Sequence, residues 1–136
     1  MSESGGARSL VFETRVSAVA EMIPPLRNVA ADLAMRKDFD LDGIEDIRMA
    51  VGEACALLVP VSADGYVSCA FSIADSSLAA TVSARSAAEP WAGEDDSLSW
   101  QLLTVLASSA QRTVVAEGDG HRARLELVLD RAQGQG

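Results

Sequence analysis

The chain has 136 residues, enough for one domain that buries a hydrophobic core without disulfide or metal staples. It is 49% hydrophobic but only 4% aromatic, so that core is expected to be built from Ala, Val, Leu and Ile, as in helices close-packed on a sheet. With 20 acidic against 11 basic side chains the net charge is −9, which repels a phosphate backbone and argues against direct binding of DNA or RNA.

Cys55 and Cys69 each fall on an apolar face, where a free thiol acts as a small hydrophobe, and they form no framework. The single His121 has no second histidine near it, so no metal centre is expected. No apolar stretch approaches the roughly 20 residues that span a bilayer. The polar start Met1-Ser2-Glu3-Ser4-Gly5-Gly6 lacks a signal-peptide pattern, and the expected location is the cytoplasm, away from membranes.

Flexible tails are expected at residues 1–8 and 131–136, around one domain over 9–130. Alternation of Leu10, Phe12, Thr14 and Val16 predicts a first strand. Leu26, Val29, Ala30 and Leu33 then fall at helical spacing, with Pro24-Pro25 in or just before the first turn. Asp40 or Asp42 can cap a second helix with the stripe Ile44, Ile47, Val51, Cys55 and Leu58, ended by Pro60. A hairpin follows, with Val67, Cys69, Phe71 and Ile73 inward, then Leu78, Ala80, Val82 and Ala84. Residues 85–96 read as a polar loop. A third helix is expected from about Ser97 to Ser109, carrying Leu98, Leu102, Val105 and Leu106. Strands over 112–117 and about 121–129 close the chain through Gly118-Asp119-Gly120, with Ala123, Leu125, Leu127 and Leu129 inward. The order β-α-α-β-β-α-β-β predicts a two-layer α/β sandwich: a mostly antiparallel sheet with helices on one face.

The second helix is the most informative segment. Its apolar stripe is complete without Glu53, which lies on the other side with Asp46, Met49, Ala50 and Leu57. A helix apolar on two sides is covered on both, so Glu53 reads as a residue lining a cleft, against the alternative of a solvated surface glutamate.

The run Met49-Ala50-Val51-Gly52-Glu53-Ala54-Cys55-Ala56-Leu57, with the order of elements over about residues 9–130, resembles the anti-sigma-factor serine kinases. These belong to the Bergerat-fold (GHKL) ATPases, a superfamily of histidine-kinase and HSP90-like domains, and the third helix resembles their divergent actinobacterial members. The resemblance implies a Bergerat-type sandwich, a homodimer, and two competing partners: a sigma factor and a STAS-type anti-anti-sigma factor. It implies that Glu53 matches the catalytic base that polarises the attacking hydroxyl.

The departures from the family pattern are as informative. The asparagine that holds magnesium corresponds to Leu57, which has no oxygen for a hard cation. The adenine-anchoring Asp-x-Gly-x-Gly motif corresponds to Ala84-Arg85-Ser86-Ala87-Ala88, so that Ala84 and Ser86 occupy degenerate cofactor positions. The glycine-rich phosphate cradle is replaced by Asp95-Asp96-Ser97-Leu98, preceded by Glu94, and three carboxylates there repel a triphosphate. Weak or absent binding of ATP and Mg is expected. The resemblance further places Arg27 on a family arginine that contacts protein partners. Being off the apolar stripe, Arg27 is expected to point outward, where its fork suits a partner carboxylate, unless it is an ordinary exposed helix arginine. Trp91 and Trp100 bracket the loop that would be the ATP lid, as interface residues or as ordinary packing residues.

Three functions remain open at this point. The first is a sigma-sequestering regulator with degenerate ATP motifs. The second is an active kinase that phosphorylates a STAS antagonist through Glu53. The third is a non-enzymatic structural or small-ligand domain with its pocket filled by Leu57 and Ala84.

Overall fold

Residues 9–91 and 97–132 are described by a computed structural model of the chain. Alternating apolar residues make β1 (Leu10–Ser17), and two helices follow: α1 (Ile23–Arg36) and α2 (Leu41–Leu58). Pro24 and Pro25 lie in the first turn of α1, where a missing N–H costs nothing. Of the two candidate caps for α2, Asp40 is the one used: its Oδ1 accepts from the Gly43 N–H at 2.8 Å. Pro60 sits in a 3₁₀ turn, Val59–Val61, that closes the helix.

The remaining elements are β2 (Tyr66–Ile73), β3 (Ser77–Ser86), α3 (Leu98–Leu106), β4 (Ser109–Glu117) and β5 (Gly120–Asp130). The strands form one five-stranded sheet in the order β1-β2-β3-β5-β4, and every neighbouring pair is antiparallel. Val67, Cys69, Phe71 and Ile73, then Leu78, Ala80, Val82 and Ala84, then Ala123, Leu125, Leu127 and Leu129 are all buried on one face of the sheet. They meet the expected stripe of α2, from Ile44 to Leu58, which is buried throughout. α2 is the central helix, packed against both α1 and α3. Ala30, Ala31 and Ala34 of α1 and Ala50 and Ala54 of α2 are fully buried. Side chains that small let helix backbones approach closely, which is how a core with few aromatics reaches close packing.

Three boundaries differ from the sequence expectation. β3 continues through Arg85 and Ser86, which pair with Arg122 and His121 of β5. The extension is held from the side, because Arg85 donates to the Glu117 carbonyl (2.9 Å) and to Asp119 Oδ1 (2.7 Å). α3 stops at Leu106, where Ala107 turns to extended backbone, and β4 starts three residues before the expected Arg112. The phase of α3 also differs. Its buried residue is Leu103, whereas Leu98 and Val105 are each 79% exposed. The tight turn between β4 and β5 uses Gly118 at φ 61°, a conformation that glycine adopts without steric cost. The run Glu94-Asp95-Asp96 and most of both tails lie outside the described residues.

Candidate functional site

The cap at Asp40 and the helical period together set where Glu53 points. It emerges half-buried at the seam between α2 and α3, and its Oε1 accepts a 2.7 Å hydrogen bond from the Ser99 hydroxyl. Ser99 is placed there by its own helix start, in which Ser97 Oγ accepts from the Trp100 N–H at 3.2 Å. Glu53 is therefore neither fully buried nor freely solvated, and its carboxylate is engaged by the neighbouring helix. Nothing in the spacing of the sequence announced Ser99 as its partner, 46 residues away. One turn on, Leu57 is half-buried against the core.

β3 touches α2 and carries Ala84 and Ser86. Ala84 is buried on its inner face, and Ser86, also buried, donates its hydroxyl to the Ala88 carbonyl. Opposite Ser86, the buried Nδ1 of His121 has no hydrogen-bond partner. Together these residues give one carboxylate that accepts a hydrogen bond from a hydroxyl, and the apolar side chains of Leu57 and Ala84.

Arg112 was not singled out by the sequence reading. It occupies an inward-facing position of β4, in alternation with Ala110 and Val114, and that parity was the available signal. Its guanidinium lies 4.4 Å from the ring centre of Trp100 and 5.9 Å from that of Trp91, a cation–π arrangement joining β4 to both sides of the segment between the tryptophans. Trp91 and Trp100 are half-buried against the core.

Arg27 is half-buried, contrary to the expectation of a freely projecting side chain, because its stem lies across Gly52 of α2. A Cβ at Gly52 would sit 3.0 Å from Arg27 Cδ, so glycine there makes room for the arginine. The guanidinium borders a cleft of about 240 Å³ between α1 and α2, lined also by Pro24, Asn28, Glu45, Arg48 and Met49. Arg48 is braced by Asn28 Oδ1 at 2.7 Å and lies 3.6 Å from Glu45. Met49 is 45% exposed at the cleft. Two guanidinium groups beside an exposed thioether suit a partner segment that carries a carboxylate next to an apolar side chain.

Beneath α2, the thiols of Cys55 and Cys69 are buried and hydrogen-bonded to each other. That bond and then burial push the Cys55 thiol far above the ordinary thiol range, so it is held protonated.

Among the described residues, no helix is long and apolar enough to cross a membrane. No family model and no curated protein sequence matches the chain. It is similar to a solved structure, that of the RsbU and RsbW domains of Rv1364c from Mycobacterium tuberculosis, with a TM-score of 0.67 and 17% identity. The match covers 90% of this chain and 33% of that one, so the chain spans about a third of the length of the protein it resembles. At that identity the likeness shows the fold alone: the two-layer α/β sandwich implied by the resemblance to the anti-sigma-factor kinases.

Proposed function

We propose that the chain is a cytoplasmic anti-sigma-factor-like regulator that sequesters a sigma factor, as a homodimer, in competition with a STAS anti-anti-sigma protein. The observation that carries this reading is the cleft between α1 and α2, where Arg27 and Arg48 flank the exposed Met49 on the helical layer. The likeness to a chain containing an RsbW domain supports it. So does the character of the nucleotide positions, since Leu57 and Ala84 supply neither a magnesium ligand nor an adenine anchor. Binding of Mg-ATP is weak or absent in this reading, and the scaffold serves through its surface.

The test is affinity capture of the tagged protein from its own host, followed by titration of the recovered sigma factor. Arg27→Glu is expected to weaken that binding at least tenfold, because it sets a carboxylate against the carboxylate that the guanidinium would have held. Recovery of no sigma factor, or an Arg27→Glu variant with undiminished affinity, would sink the reading.

One observation favours a second reading, that of a kinase acting on a STAS serine or threonine. Glu53 already accepts a hydrogen bond from a hydroxyl at 2.7 Å, the contact a general base makes with its substrate. Transfer of labelled phosphate from ATP to a STAS protein, lost in Glu53→Ala, would establish it in place of the first.

A further inference from the structure

The sheet has a second face, turned away from the helices. Its residues alternate with the buried ones along each strand and line up in rows across the strands. One row runs Arg15, Ser68, Ser83, Arg124, and the next runs Glu13, Ala70, Thr81, Glu126. The rows lie two residues apart along the strands, about 7 Å. The middle of both rows holds nothing larger than threonine, whereas each end carries an arginine beside a glutamate. Between them lies a trough of about 410 Å³, lined by Glu13, Ser68, Ala70, Thr81 and Ser83.

The two ends of the rows are not alike. On β5, Arg124 and Glu126 approach to 4.0 Å. On β1, the Arg15 guanidinium lies instead 4.0 Å from the ring centre of Tyr66, and no cation among the described residues pairs with Glu13. Nor does any described residue hydrogen-bond the hydroxyls of Ser68, Thr81 or Ser83. Ser83 is only 9% exposed, yet its side chain faces the trough without a protein partner. A hydroxyl so enclosed takes its hydrogen bond from whatever fills the trough.

These unpaired groups fit one kind of ligand. A carboxylate without a cation, next to a hydroxyl that can accept, suits an ammonium group. It does not suit calcium or magnesium, which take about six or more oxygens and favour several carboxylates. One row away, the Arg15 guanidinium and two further hydroxyls suit a carboxylate. A molecule with both charges close together therefore bridges the rows, and the head group of an amino acid is such a molecule.

The geometry points to a binding site for a small α-amino acid on the outer face of the sheet. Glu13 and the Thr81 hydroxyl hold its ammonium, and Arg15 with the hydroxyls of Ser68 and Ser83 holds its carboxylate. The rest of the trough accommodates a short polar side chain. The site faces away from α1 and α2, so it is independent of Glu53 and of the partner that the α1–α2 cleft takes.

The experiment is titration of the nitrogen-labelled full chain with L-serine, followed by amide NMR shifts. Saturable shifts are expected at Ser68, Ala70, Thr81 and Ser83, and none at Arg27 or Arg48. N-acetyl-L-serine lacks the ammonium and L-serinamide lacks the carboxylate, and each is expected to bind about tenfold more weakly or worse. Glu13→Gln and Arg15→Gln should weaken L-serine by a similar factor. Thr81→Val keeps the side-chain shape and should weaken it several-fold. Glu13→Gln should also lose the preference for L-serine over N-acetyl-L-serine, a change that a merely structural role for Glu13 would not produce. Glu13 and Arg15 are exposed, so thermal melts of their variants should stay close to wild type and confirm folding. No saturable shift with L-serine, equal binding of the three probes, shifts centred outside the trough, or folded variants that bind as wild type does would each overturn the assignment.

Discussion

Glu117 sits between two guanidinium groups. Arg122 Nη2 donates to its Oε1 at 3.1 Å and Arg85 Nη1 at 3.4 Å. Arg85 and Arg122 are directly opposite each other across β3 and β5, a like-charge pair that Glu117 and Asp119 offset. The hydrogen bond from Arg122, helped by both positive charges, holds the Glu117 carboxyl below the ordinary carboxylate range. The unfolded chain therefore binds that proton more tightly than the folded one. The stabilisation is complete above the unfolded value of about 4.3 and is lost as pH falls through the folded value. Glu117→Gln should lower the melting temperature at neutral pH and flatten its fall between about pH 5 and 3; an unchanged pH profile would refute this. At this scale the sequence made the half-burial of Glu53 legible, because a helix with two apolar sides leaves such a residue little open solvent. It did not show Ser99 or Arg112, because each meets its partners through tertiary packing between distant elements.

The helix α2 holds a glycine in its interior, which ordinarily lowers helix stability by about 1 kcal/mol relative to alanine. Gly52 is there because Arg27 crosses it, with space for a Cβ only at 3.0 Å from Arg27 Cδ. That atom belongs to a flexible side chain, which can swing aside, so helix propensity should decide the outcome. Gly52→Ala is expected to raise stability by about 0.5–1 kcal/mol, a few degrees in melting temperature, while displacing Arg27 and weakening the partner affinity assigned to it. A destabilised variant would mean that Arg27 is wedged too firmly to move. The order of elements and the buried face of α2 were legible because long periodic stripes leave few alternatives. The phase of α3 was not. Leu98, Leu102, Leu103, Val105 and Leu106 fill so much of this short helix that periodicity favours no single face, and packing against α2 selects Leu103. The extension of β3 through Arg85 was likewise hidden, since polar residues resemble a loop until Glu117 and Asp119 are brought beside them.

For the molecule as a whole, two hairpins and three helices on one face of an antiparallel sheet could be read from the chain because alternation and helical spacing change over cleanly at its turns. The functional assignment was less legible. It rests on a resemblance whose motif frame keeps Glu53 while Leu57, Ala84 and Ser86 depart from it. The paired thiols between α2 and β2 have a practical consequence for the intact molecule. Cys55 and Cys69 are 1% and 2% exposed, so an alkylating reagent reaches them only when the central helix lifts from the sheet. The two cysteines thus act as a natural clock for core opening. Under conditions where reclosing outpaces labelling, both thiols should react at rates set by the free energy of opening, slowing together when a binding partner stabilises the fold. Cys55 and Cys69 labelling at widely different rates would mean that the helix and the strand come apart in separate events.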